Sequence, residues 1–131
     1  MHSADAIADA LGRPRPTEQQ RAVIESPLAP ALVVAGAGSG KTETMASRVV
    51  WLLANRFVRP DEVLGLTFTR KAAGELGVRI NDRIGALEDV GLIERGDAFE
   101  APTVSTYNAF ANAVFRENAR RCHVTVHFDV L

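Results

Sequence analysis

Residues 31 to 53 read ALVVAGAGSGKTETMASRVVWLL, and the order of residue types in this stretch decides the fold class. Ala31 to Ala35 is an uninterrupted apolar run without polar alternation, as expected of a parallel strand covered on both faces. Met45, Val49, Leu52 and Leu53 fall at i, i+4, i+7 and i+8, which predicts an amphipathic helix running to about Arg56. Between the two lies AGAGSGKT, residues 35 to 42, which matches the phosphate-loop pattern except that Ala35 stands where the strict form has glycine. Gly36, Gly38 and Gly40 admit backbone angles closed to other residues, so consecutive N–H groups can turn inward around an anion. The following helix adds the positive end of its dipole at the same point.

Lys41 then reaches the β- and γ-phosphates of a nucleotide as a point charge, and the Thr42 hydroxyl ligates the Mg²⁺ that bridges them. These two are the candidate catalytic residues, with Thr42 the candidate metal ligand. The nucleotide-contacting set is Ala35, Gly36, Ala37, Gly38, Ser39, Gly40, Lys41, Thr42 and Glu43. The plain alternative is a glycine-rich strand-to-helix turn that binds nothing, but the apolar run before the loop and the helix after it favour phosphate binding. A phosphate loop alone does not name a reaction, because kinases, GTPases, transporters and motors share it.

Composition bounds the remaining choices. The 131 residues are 47% apolar and 24% charged, which fits one soluble globular domain or part of one. A formal net charge of -1 gives no general attraction to nucleic acid, so any DNA contact must come from local clusters. Cys122 is the single cysteine, which excludes an internal disulfide framework and fits a reducing cytosol. No apolar run approaches the roughly 18 residues of a membrane helix, and the N-terminus lacks a signal-peptide core. The expected location is therefore the cytoplasm. Nearly all the basic residues are arginine, and lysine occurs only at Lys41 and Lys71. A compact ammonium suits a tight phosphate site better than a planar guanidinium.

Working outward, Ala4 to Leu11 places Ile7, Ala8 and Leu11 on one helical face, and GRPRP at residues 12 to 16 ends that helix. Thr17 can cap the next helix, with Gln20 in the capping-box position. Pro27 and Pro30 stop it. Val63 to Phe68 (VLGLTF) reads as a second buried strand. From Arg70 to Leu87, helical spacing is kept by Ala73, Leu76, Ile80, Ile84 and Leu87, although Gly74 and Gly77 each weaken the helix by roughly 1 kcal/mol. Residues 88 to 101 look like a loop, Thr103 to Ser105 like a short strand, and Tyr107 to Arg121 like a helix with Phe110, Val114 and Phe115 inward. Val124 to Phe128 alternates weakly. Strand and helix alternate three times, so the expected class is α/β with parallel strands and right-handed crossovers.

Three further stretches, taken with the loop, resemble the N-terminal part of the UvrD/Rep-type superfamily 1 DNA helicases, including helicase-nuclease subunits of the AddAB and AdnAB kind. Thr17 to Val23 (TEQQRAV) is similar to the family's Q motif, in which a glutamine reads the adenine edge; by spacing, Gln19 is the match. Leu66 to Ala73 (LTFTRKAA) is similar to motif Ia, with Arg70 where asparagine is usual. Val104 to Phe110 (VSTYNAF) is similar to the next DNA-contacting motif, with Asn108 where histidine is common. The four motifs occur in family order across residues 17 to 131.

The resemblance implies an incomplete RecA-like, ATP-binding helicase domain that uses ATP and Mg²⁺ and acts on single-stranded DNA, in repair or recombination, alongside the remaining helicase domains of a parent protein. Phe68, Thr69, Arg70 and Lys71 would form one step along the strand, and Thr106, Tyr107 and Asn108 another, through backbone contacts and base stacking. Both follow strands, at the sheet end where α/β proteins place ligands. Each residue also has a bland reading. Phe68 and Phe110 are ordinary core candidates, Tyr107 can cap a core with its hydroxyl in water, and Arg116, Arg120 and Arg121 suit a solvated helix face. His123 and His127 are four apart, a helical spacing for metal ligands, but the stretch reads as extended and does not suggest a metal site.

The acidic Walker B pair of such helicases is missing: Glu88-Asp89 follows a helix and Asp61-Glu62 precedes a strand. Residues 128 to 131 (FDVL) resemble the entry to a helical insertion. The expectation is therefore a chain that binds Mg-ATP weakly at best, neither hydrolyses it nor unwinds DNA, leaves apolar surface uncovered and self-associates. Two other readings stay open: a nucleotide kinase on the same loop, for which no acceptor site or arginine-rich lid is visible, and a noncatalytic nucleotide-binding interaction module.

Overall fold

A computed structural model describes residues 1–34, 40–94 and 101–122. Among them are five α-helices and two strands: α1 Ala4–Ala10, α2 Glu18–Ile24, α3 Lys41–Ala54, β1 Leu64–Thr67, α4 Arg70–Asp89, β2 Thr103–Thr106 and α5 Tyr107–Cys122. A 3₁₀ turn at Pro60–Glu62 leads into β1. The class is α/β, as the alternation predicts. No helix of the described residues is long and apolar enough to cross a membrane.

The helix starts follow their sequence signals. The Ser3 hydroxyl accepts from the Ala6 N–H, which caps α1. At α2 the full capping box forms: Thr17 Oγ1 accepts from the Gln20 N–H at 3.2 Å, and Gln20 Oε1 accepts from the Thr17 N–H at 2.9 Å. Thr69 caps α4, its hydroxyl accepting from the Ala72 N–H. That helix runs unbroken through Gly74 and Gly77, because its apolar stripe is packed and outweighs their intrinsic cost.

Two core clusters meet on α3. In the first, Val50, Trp51, Leu52 and Ala54 pack with Ala4 and Ile7 of α1, Ile24 of α2 and Leu87 at the far end of α4. In the second, Ala46 packs with Leu76 and Ile80 of α4, joined by Val49, Ile84 and Val104 of β2. The strands pair in parallel, with Leu64 opposite Thr103 and Thr67 opposite Thr106, and α4 is the crossover between them.

Two expectations fail. Residues 31–34 are not a strand and are not covered: Leu32 is 89% and Val34 85% exposed. The two-stranded sheet of the described residues supplies no neighbour for this run, and an apolar sequence becomes a strand only where another edge pairs its backbone. Phe110, Val114 and Phe115 of α5 are exposed rather than inward, because α5 packs chiefly against the two strands and its apolar side is left largely uncovered by the described elements. Ala35, the loop residues Gly36, Ala37, Gly38 and Ser39, and the stretch Val124 to Phe128 lie outside the described residues.

Leu87 is fully buried and ties α4 to the first cluster. Its replacement by alanine leaves a cavity between α4 and α3. The Leu87→Ala variant is expected to lose about 3 kcal/mol of stability in urea unfolding.

Candidate functional site

The phosphate-binding candidate is visible from Gly40 onward. Gly40 is the N-cap of α3 at φ +80°, ψ +29°, a left-handed conformation that glycine adopts without strain. A side chain there would also meet the Gln20 amide nitrogen at 3.1 Å from its Cβ. No side chain caps α3, so among the described residues its first-turn amides lack a partner. Lys41 is exposed and has no carboxylate partner among the described residues. The neighbouring Thr44 hydroxyl donates back to the Gly40 carbonyl at 3.0 Å, whereas the Thr42 hydroxyl has no such bond among the described residues. Among the described residues, an uncapped helix start, an ammonium without a carboxylate and an uncommitted hydroxyl are groups that could hold a triphosphate with Mg²⁺. No cluster of three His, Cys, Asp or Glu that would hold a metal alone occurs among the described residues.

Glu43, in the same first turn, is engaged by arginines. Its carboxylate accepts from Arg83 Nη2 and, at 3.3 Å, from Arg79 Nη1, and Arg13 Nη1 lies 3.8 Å away. Arg83 is only 4% exposed, and its Nη1 donates to the Ser47 hydroxyl at 3.1 Å. The acid is thus neutralised by α4 and by the segment after α1. A carboxylate left bare beside Lys41 would oppose a polyanion; this one does not.

Behind Glu43 lies a cavity of about 310 Å³. Its floor is apolar, with Ile7, Ile24, Val50 and Trp51 among the lining residues, and its rim carries Arg13, Arg15, Gln20, Glu43 and Arg83. The indole Nε1–H of Trp51 and the Nε–H of Arg83 are buried without an acceptor among the described residues. Arg15 is held by a fork onto Asp9, Nε to Oδ1 at 3.0 Å and Nη2 to Oδ2 at 2.7 Å. This hydrogen bonding, then charge attraction, holds the Asp9 carboxyl below the ordinary range and raises Arg15 above its own. Gln20, committed to the capping box, lines the cavity. Gln19, the sequence candidate, is exposed on α2, with no hydrogen bond from its side chain among the described residues.

The DNA candidates come together at the other end of α4. Thr67 lies level with Thr106 in the parallel ladder, so the residues that follow leave the sheet side by side. Phe68, 88% exposed, and Tyr107 place their ring centroids 5.0 Å apart at a 36° tilt. Arg70, Lys71 and Asn108 are exposed around them. Thr69 and Thr106 spend their hydroxyls on helix starts, accepting from the N–H groups of Ala72 and Ala109. The bland reading of Phe68 as a core residue does not hold.

With this geometry in view, similarity to known proteins becomes informative. Residues 16–131 match the UvrD/REP helicase N-terminal domain family. The chain belongs to that family. It is 34% identical over 115 residues to the ATP-dependent DNA helicase PcrA of Staphylococcus aureus (strain Mu50 / ATCC 700699), covering 88% of this chain and 14% of that protein. It is 40% identical over 90 residues to the ATP-dependent DNA helicase UvrD1 of Mycobacterium leprae (strain TN), covering 65% of this chain and 11% of the relative. UvrD1 of Mycobacterium bovis is 36% identical over 116 residues, 88% of this chain and 13% of the relative. The chain thus spans about a seventh or less of the length of these relatives.

In this UvrD/REP family member, α1 and the segment up to Arg15 precede the matched residues, yet both line the cavity. Sequence reasoning missed Arg13, Arg79 and Arg83. The available signal was Arg83 itself, which falls on the apolar stripe of α4 between Ile80 and Leu87. A cation at a core position requires an anion, and Glu43 supplies it. Removing that anion strands a buried guanidinium. The Glu43→Ala variant is expected to lose about 2–3 kcal/mol in urea unfolding, discounted for the partial exposure of Glu43.

Proposed function

We propose that this chain is the nucleotide-binding front of an ATP-dependent DNA helicase or translocase that moves on single-stranded DNA, with residues 17–131 forming part of its first RecA-like domain. The observation that carries this reading is the start of α3, where a left-handed Gly40, first-turn amides without a side-chain cap and a Lys41 with no carboxylate partner among the described residues meet at one helix end. Such a convergence is a ready site for a triphosphate tail. The assigned nucleotide contacts are residues 35–40 of the loop with Lys41 and Thr42, and Gln19 beside the base. Thr42 would hold the Mg²⁺ that accompanies the nucleotide, which would offset phosphate charge. Glu43 is assigned a supporting part, held off the phosphates by Arg79 and Arg83.

At the sheet end, Phe68 and Tyr107 offer ring faces to bases, while Arg70, Lys71 and Asn108 meet the backbone. Helix α4 runs from this platform to the Glu43 cluster, so one rigid element joins the two ends of the proposed motor. The exposed apolar surfaces of residues 31–34 and α5 support a place inside a larger protein whose other helicase domains cover them. On its own the chain is expected to self-associate through these surfaces and to hold nucleotide without turnover, since it carries no Asp-Glu pair at the end of an apolar strand.

Titration of the 131-residue chain with a fluorescent ATP analogue and Mg²⁺ should give saturable binding that Lys41→Ala weakens about tenfold or more. Unchanged affinity in that variant, or turnover near that of an intact motor, would remove the reading. Anisotropy with an oligo-dT strand should show binding that weakens steeply with salt. Phe68→Ala and Tyr107→Ala should each cost about 1–3 kcal/mol. Loss of neither, or salt-insensitive binding, would leave a nucleotide-binding module without a DNA track.

A further inference from the structure

Arg48 is the polar tie between the helix proposed to read the base and the helix proposed to hold the phosphates. It lies on α3, seven residues after Lys41, about 10 Å along the helix axis. Its Nη1 donates to three carbonyls, those of Val23 at 3.2 Å, Ile24 at 3.0 Å and Ser26 at 2.7 Å, and its Nη2 donates to that of Pro27 at 3.1 Å. No carboxylate pairs with Arg48 among the described residues, so these oxygens are its described partners. They belong to the end of α2 and its exit, where carbonyls have no further turn to bond and the helix dipole is negative.

The other polar ties of α2 lead elsewhere. Arg21 pairs with Asp5 of α1 at 3.1 Å, and Glu25, just past the helix end, accepts from the Ala4 N–H at 2.8 Å. Among the described residues only Arg48 links the backbone of the α2 end to α3 by hydrogen bonds. Gln19 and Gln20 sit at the opposite end of this short helix, five and four residues from Ile24, or about 6–8 Å along its axis. A tilt of about 10° about the gripped end would move their carboxamides by roughly 1 Å, enough to turn a hydrogen bond into no bond. The phosphate loop is less exposed to the same grip. Twelve residues lie between Pro27 and Gly40, and the 31–34 stretch has no strand neighbour among the described residues.

We propose that Arg48 is a positioning residue for base selectivity: it sets α2 against α3, and so places the Q-motif glutamine at the register that distinguishes a nucleotide from a bare triphosphate. This rests on the nucleotide reading given above. Lysine at this position keeps the charge but cannot spread two nitrogens over four carbonyls.

The test compares ATP with inorganic tripolyphosphate, both with Mg²⁺, on the wild-type chain, Arg48→Lys, Gln19→Ala and the double variant, after circular dichroism and thermal unfolding establish that each is folded. Arg48→Lys should weaken ATP binding about tenfold while tripolyphosphate affinity stays within about twofold. In the Gln19→Ala background, Arg48→Lys should add little, because the glutamine it positions is already gone. Equal loss for both ligands, an unchanged preference for ATP, or full additivity with Gln19→Ala would each overturn the proposal. If Arg48→Lys unfolds, Arg48→Gln, which retains one fork donor, is read by the same ratio. A wild-type chain that binds neither ligand would overturn the nucleotide reading itself, an outcome distinct from any of these.

Discussion

Helix α3 carries a double constraint: its body must be buried on two sides while its first turn stays open. Ala46 is enclosed by α4, and Val50, Trp51 and Leu52 belong to the cluster built with α1 and α2. At roughly 1.5–3 kcal/mol for each fully buried large apolar side chain, this burial outweighs what an uncapped start costs. The helix can therefore leave its N-terminal amides without a side-chain cap, and Lys41 without a carboxylate partner, among the described residues. A free helix with this start would fray there; the packed one cannot.

The same constraint explains the charge arrangement. A first-turn acid usually favours a helix start through the dipole, and Glu43 stands at such a position. In an anion site that benefit becomes repulsion. The structure resolves the conflict by carrying the acid to the buried Arg83 and to Arg79, whose own positions on α4 are fixed by Leu76, Ile80 and Leu87. Side-chain packing thus sets local electrostatics, and the excess of arginine over acid in this cluster leaves the region positive.

Much of this was legible in the residues because the signals were local. The Thr17–Gln20 capping box, the 3.6-residue apolar spacing of α3 and α4, and the two short β-type runs depend on near neighbours, and all reappear in the fold. What failed depended on distant partners. ALVVA has the composition of a covered strand, but composition does not supply the adjacent edge. Phe110, Val114 and Phe115 have helical spacing, but spacing cannot say whether anything lies opposite. In the candidate site, the fate of the Glu43 carboxylate and the four-carbonyl grip of Arg48 also escaped, because both are set by approach of chain segments more than twenty residues apart. The pairing of Phe68 with Tyr107 likewise became visible only with the ladder.

That ladder acts as a vernier. The strands end level, Thr67 opposite Thr106, so their register also fixes how far along the sheet each succeeding ring stands. Deleting one residue from β2 would draw Tyr107, the first residue of α5, back by about 3.3 Å along the ladder, breaking up the aromatic step without touching either ring. The spacing of that step is thus metered by backbone hydrogen bonds, and it is only as exact as two four-residue strands can hold it.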